Sequence, residues 1–126
     1  MLATRAKNLY KKVGEESTVA VATPHKLIVL LYEGVFAAFA AARRAHGGAN
    51  RAEFGKQIGK AMNLINEGLR ASIDMSQGDI SSDLDNLYHY CAATLLQANL
   101  NWDVGVLNHV EALLRDVYSA WVEIGS

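Results

Sequence analysis

Residues 27–42 read LIVLLYEGVFAAFAAA, and only Glu33 and Gly34 interrupt the apolar run. A helix on the surface of a small soluble domain carries one apolar stripe and a polar back. Wound as a helix, this stretch is apolar on nearly every side. It falls short of the ~20 residues that cross a bilayer, and Glu33 sits in its middle. Two arrangements satisfy it. Either neighbouring helices bury it almost completely, or part of its surface is kept for a partner. The flanks define the element. Thr23-Pro24 supplies an N-cap and a first helical residue with its φ already set. His46-Gly47-Gly48 supplies the stop. The sequence therefore predicts a helix over 24–46.

Working outward, a second helix is predicted over 50–74, where Phe54, Ile58, Met62, Ile65, Leu69 and Ile73 recur at spacings of four and three. Its glycines, Gly55, Gly59 and Gly68, each cost about 1 kcal/mol against alanine, and they suit a close helix approach. Residues 75–80 read as a loop. Ser82 and Asp85 have capping-box spacing and open a helix over 82–101, with Leu84, Leu87, Tyr88, Cys91, Leu95 and Ala98 on its stripe. Poor helix formers from Asn99 to Asp103 predict a break. A last helix over 103–122 carries Val106, Leu107, Val110, Leu113, Leu114, Val117 and Trp121. No run alternates as a strand would. Four long helices with short connections make an all-α, antiparallel up-down four-helix bundle, one domain over 1–126. Residues 1–16 are basic and joined through Gly14 to Glu15-Glu16-Ser17-Thr18. With little apolar area to offset ordering, they are expected to form a short, mobile N-terminal helical segment.

Composition narrows the function. The chain has 126 residues, 51% of them hydrophobic and 20% charged, which is the balance of one globular domain. Cys91 is the sole cysteine, so no internal disulfide can form. The N-terminus MLATRAKNLYKK lacks an apolar core followed by a cleavage site, so the expectation is a cytoplasmic protein that is not membrane-embedded. Residues 1–70 hold 11 Lys/Arg against 5 Asp/Glu, whereas residues 71–126 hold Arg115 against 8 acids. No basic run is interleaved with stacking aromatics, which argues against a nucleic-acid partner. His25, His46, His89 and His109 have no helical pairing for zinc. Asp79, Asp83 and Asp85 lack the glycine and closing glutamate of a calcium loop. No Glu precedes a His by three, as di-iron bundles require, and Gly47-Gly48 has no P-loop spacing. No cofactor, metal or enzymatic activity is expected.

The ordered motifs of the chain resemble those of the flagellar secretion chaperone family, FliS. They run Leu9-Tyr10, Ala22-Thr23-Pro24-His25-Lys26-Leu27-Ile28, Leu31-Tyr32-Glu33-Gly34, Leu84-x-x-Leu87-Tyr88-x-Tyr90, Leu95-Leu96-Gln97-Ala98-Asn99 and Ala120-Trp121. Each is weak alone, but the ordered set spans residues 7–122. The loop at Gln77-Gly78-Asp79-Ile80 departs from the family's pattern by one missing residue. The resemblance implies a cytoplasmic, non-enzymatic export chaperone, monomeric when free. Such a protein binds the disordered C-terminal segment of flagellin, prevents premature polymerisation and helps deliver the cargo to a membrane protein of the flagellar export gate. It also implies that the region of Leu9 and Tyr10 covers the cargo groove or docks at the gate.

An apolar surplus on a bundle is what helix-in-groove recognition requires. On helical spacing, Leu27, Ile28, Leu31, Val35 and Phe39 form the core stripe of the first helix. Val29, Leu30, Tyr32 and Phe36 lie off it and are assigned to the flagellin-binding groove. Tyr88 joins them, since Tyr88 and Tyr90 cannot both face the core. Asn99, beside the expected break, either caps a helix end or holds a client backbone. Trp102 and Trp121 are read as packing anchors. The competing reading is a homo-oligomeric structural bundle whose apolar surface pairs with itself.

Overall fold

The computed structural model describes residues 23–124, and every long element among them is helical. Helix α1 spans Pro24–Gly47, with the Thr23 side chain accepting from the Lys26 N–H at 3.1 Å. It stops at Gly48, whose N–H bonds back to the Arg44 carbonyl. Helix α2 spans Arg51–Asn63, capped by Asn50, which accepts from the Glu53 N–H at 3.1 Å. It runs on through a π-helical turn, Leu64–Leu69, and a 3-10 turn, Arg70–Ser72. After a second 3-10 turn, Met75–Gln77, helix α3 spans Asp79–Asn101 and helix α4 spans Gly105–Ile124. The α3–α4 break is made by Trp102 in the left-handed region (φ 56°), its N–H bonded to the Ala98 carbonyl, and by Asp103, whose carboxylate accepts from the Gly105 N–H.

The principal contacts run α1–α2, α2–α3, α3–α4 and α4–α1, closing a ring. Cross-links show that neighbours are antiparallel. Along α1 and α4, Arg43 meets Glu111 at 2.7 Å while His25 meets Trp121 at the opposite end. Along α2 and α3, Gly55 lies against Asn99 and Arg70 pairs with Asp85. This is the predicted up-down bundle. The glycine reading divides. A Cβ on Gly68 would lie 2.9 Å from the buried Leu31 side chain, so close approach of α1 and α2 requires glycine there, while Gly59 faces open space.

The structure corrects several local expectations. Helix α3 starts three residues before Ser82, and the Ser82–Asp85 box does not form. Asp85 is drawn off by the Arg70 guanidinium, which donates to both carboxylate oxygens at 2.9 and 3.2 Å. Asn99 caps nothing, because α3 continues to Asn101. Helix α1 as a whole, with its flanks, is long and apolar enough to cross a membrane by length and composition, although half of that stretch is buried within the bundle. The 16-residue run on its own understated this. Most importantly, Tyr32 and Phe36 do not lie off the core stripe. Tyr32 is 0% and Phe36 8% exposed, and both belong to the central cluster. Val29 is buried as well. Flanked by α2 and α4, α1 buries roughly 200° of its circumference rather than one stripe.

Candidate functional site

The antiparallel topology gathers the start of α1, the irregular end of α2, the start of α3 and the end of α4 at one end of the bundle. There the core opens into a cleft of about 300 Å³. Ile28 and Tyr32 of α1, Leu69 and Ile73 from the end of α2, Leu84 and Tyr88 of α3, and Val117 and Trp121 of α4 line it. A second hollow of about 210 Å³ adjoins it across Ile28, Ser72 and Trp121 and extends to Pro24 and His25. Ile80, on the rim, is 69% exposed, and Met75 nearby is 60% exposed. Large apolar side chains left in water beside an apolar hollow mark a binding surface better than isolated ones do.

Two polar devices sit in this apolar setting. On the floor, the Tyr32 and Tyr88 hydroxyls hydrogen-bond to one another. Burial pushes the Tyr88 phenol up to about 12 and Tyr32 well above its ordinary value. The neighbouring Cys91 thiol is pushed up to about 11 by burial, which makes it an inert core group at neutral pH. At the mouth, His25 and Trp121 stack with ring centroids 4.8 Å apart and 12° between planes. They exchange hydrogen bonds with each other's backbone. His25 Nε2 donates to the Trp121 carbonyl at 2.7 Å, and Trp121 Nε1 donates to the His25 carbonyl at 3.2 Å. This clasp ties the start of α1 to the end of α4.

Of the residues assigned to a groove from sequence, Tyr32 and Tyr88 meet in the cleft. The other four lie elsewhere. Phe36 is covered by the Arg115 guanidinium, 3.8 Å above its ring, and stands edge-on to Tyr118. Val29 is buried, Leu30 is half-buried against the core, and Asn99 sits in the α2–α3 seam beside Gly55. Tyr90 is the exposed member of its pair and bonds His109 at 2.9 Å. Leu9 and Tyr10, with the whole segment 1–16, lie outside the described residues. Sequence reasoning placed Ile28, Leu84, Val117 and Trp121 in the core. Periodicity gave their faces correctly. The missed signal was axial, since all four fall at the same end once the helices are laid antiparallel. Among the described residues no group of three or more His, Cys, Asp or Glu side chains could hold a metal ion.

The sequence profile of the flagellar protein FliS matches residues 6–126. The flagellar secretion chaperone FliS of Escherichia coli K12 is 37% identical over 124 residues, covering 98% of this chain and 91% of the relative. That of Salmonella typhimurium is 38% identical over 116 residues, or 91% and 86% of the two chains. The flagellar secretion chaperone FliSB of Pseudomonas aeruginosa is 40% identical over 122 residues, 96% of each.

Proposed function

The chain belongs to the FliS family of flagellar secretion chaperones, and from that premise we propose that it is a cytoplasmic, non-enzymatic chaperone that seats the disordered C-terminal segment of flagellin in the cleft. The carrying observation is the open end of the bundle, an apolar cleft with exposed Ile80 at its border. A disordered client suits such a site. It folds an apolar face into the groove, and the ordering entropy lost lowers its affinity per unit area, which favours later release. Holding that segment keeps flagellin from polymerising before export. Delivery to the export gate is assigned to the segment carrying Leu9 and Tyr10.

Calorimetric titration of the purified protein with a flagellin C-terminal peptide tests the reading. One-to-one binding is expected, with a negative heat-capacity change as apolar surface is buried. Folded protein that shows no binding would overturn it. Light scattering of the free protein separates it from a self-associating structural bundle, since the chaperone should remain a monomer at micromolar concentration.

A further inference from the structure

The floor of the cleft holds a hydrogen-bond imbalance that packing does not resolve. Tyr32 and Tyr88 are 0% and 4% exposed, they meet hydroxyl to hydroxyl, and both line the cleft. A phenol carries one proton and can donate once. Two phenols carry two protons, and the bond between them uses one. Burial keeps both protonated at any working pH. The second proton has no acceptor among the described residues. The serine hydroxyls and the Asp74 carboxylate of the lining are engaged elsewhere. Ser72 Oγ donates to the Gly68 carbonyl at 2.7 Å, Ser81 Oγ donates to the Asp74 carbonyl, and the Asp74 carboxylate accepts from Ser76 and Gln77. A buried donor without an acceptor is costly, and a group entering the cleft can remove that cost by accepting from it.

We propose that the Tyr32–Tyr88 pair is a specificity element, a single hydrogen-bond donor set in an apolar cleft, which selects a segment presenting a carbonyl oxygen among its apolar side chains. The proposal rests on the reading of the cleft as the cargo site. An apolar segment satisfies the walls through Ile28, Leu84 and Val117. The carbonyl then accepts the surplus proton, and a purely hydrocarbon face leaves it unpaired. The acceptor is either a main-chain carbonyl where the cargo helix ends or an Asn or Gln side chain.

The hydroxyl arithmetic gives a pattern that a structural role does not. In Tyr32→Phe or Tyr88→Phe alone, one hydroxyl remains and loses its partner, so its proton is free for the cargo. Affinity for the flagellin C-terminal peptide should hold or rise in each single variant. The double variant has no donor and should bind about five- to tenfold more weakly. Two results overturn the proposal. One is a double variant that binds as tightly as the wild type. The other is single variants whose separate losses multiply to that of the double, the mark of packing alone. Should the double variant fail to fold, NMR of protein labelled at the tyrosine ζ-carbons decides. The Tyr32 and Tyr88 signals, assigned from the single variants, should shift on peptide addition in the wild type, and unmoved signals with saturated binding reject the donor role. Changing each Asn and Gln of the peptide to Leu locates the acceptor. A loss at one position, absent in the double variant, assigns a side-chain amide. No such position, with the tyrosine dependence retained, assigns the main chain. A wild-type protein that binds no peptide overturns the cargo reading together with this one. Tight binding indifferent to both hydroxyls overturns this one alone.

Discussion

The two ends of the bundle use the same pair of residue types to opposite effect. At the closed end His46 stacks on Trp102 with centroids 4.3 Å apart, and Phe54 stands edge-on to that tryptophan at 4.9 Å. Arg51 covers the ring, and His46 Nε2 donates to the Trp102 carbonyl at 3.2 Å. At the open end His25 stacks on Trp121, but no phenylalanine plugs the space beneath, and the tryptophan becomes a wall of the cleft. The irregular backbone has the same polarity. The π-helical turn and both 3-10 turns lie toward the open end, while α2 begins as a regular capped helix at the other. Departures from regular winding of this kind often mark functional sites. On the proposed reading, one end of the molecule is built for stability and the other for contact.

The sharpest way to break this division is to cut each end and ask what is lost. Phe54→Ala removes a fully buried ring at the closed end and should cost about 3–5 kcal/mol of unfolding free energy. Cargo affinity of the fraction that remains folded should hardly change. Urea denaturation and peptide titration of the same preparation measure both. A variant that keeps its stability but loses cargo would reverse the assignment of the two ends.

Trp121→Ala at the open end should show the converse balance. The ring is only half-buried, so stability should fall by about 1–2 kcal/mol, including the hydrogen bond it donates to His25. Loss of an aromatic wall from a binding site typically costs about 2 kcal/mol of affinity, near thirtyfold. If the peptide binds this variant as it binds wild type, the cleft is not where cargo sits.

A smaller contrast lies along α2. Gly59→Ala places a methyl group in open space and should stabilise by about 1 kcal/mol through helix propensity. Gly68→Ala gains the same propensity but drives its Cβ into Leu31, so overpacking should leave it about 1 kcal/mol less stable than wild type. Thermal unfolding of the two variants side by side reads the difference. Equal behaviour would mean that Leu31 moves aside freely, and that the α1–α2 approach near the cleft is looser than it looks.

These contrasts also mark what could be read in the sequence. The cap at Thr23, the start of the second helix near residue 50 and the break near Trp102 were legible because local chemistry sets them. The stripes of α2, α3 and α4 were legible because a helix facing one core repeats its apolar positions. Tyr32 was set off the core stripe because a single stripe was assumed for α1, although a run apolar on nearly every side already implied burial against several neighbours. Ile28 shows the opposite error. It lies within the buried arc of α1, yet it lines the cleft because it sits one turn from the open end. Periodicity reports the azimuth of a residue and is silent on its depth along the bundle. The Ser82–Asp85 box failed because a long-range partner, Arg70, outbid a local one, and only the folded topology brings those residues together.

That same pair gives the smallest expected effect, and it tests whether the open end leans on charge at all. Hydrogen bonding from the Arg70 guanidinium holds the Asp85 carboxyl below the usual carboxylate range. A folded-state pKa below the unfolded value means stability that is present above about pH 4 and is lost as pH falls through the folded value. Both side chains are about one-third exposed, so solvent screening keeps the contribution to a few tenths of a kcal/mol. Asp85→Asn should therefore be slightly less stable than wild type at pH 6, and the gap should narrow as the pH is lowered toward 2. Urea midpoints of the two proteins across that range measure it. The expectation follows from where the pair sits, joining the irregular end of α2 to the first turns of α3 beside the cleft. If the gap persists at low pH, the loss comes from amide packing and not from charge. If it exceeds about 1 kcal/mol at pH 6, the ion pair is a structural clamp on the cleft and the open end is more rigid than its geometry implies.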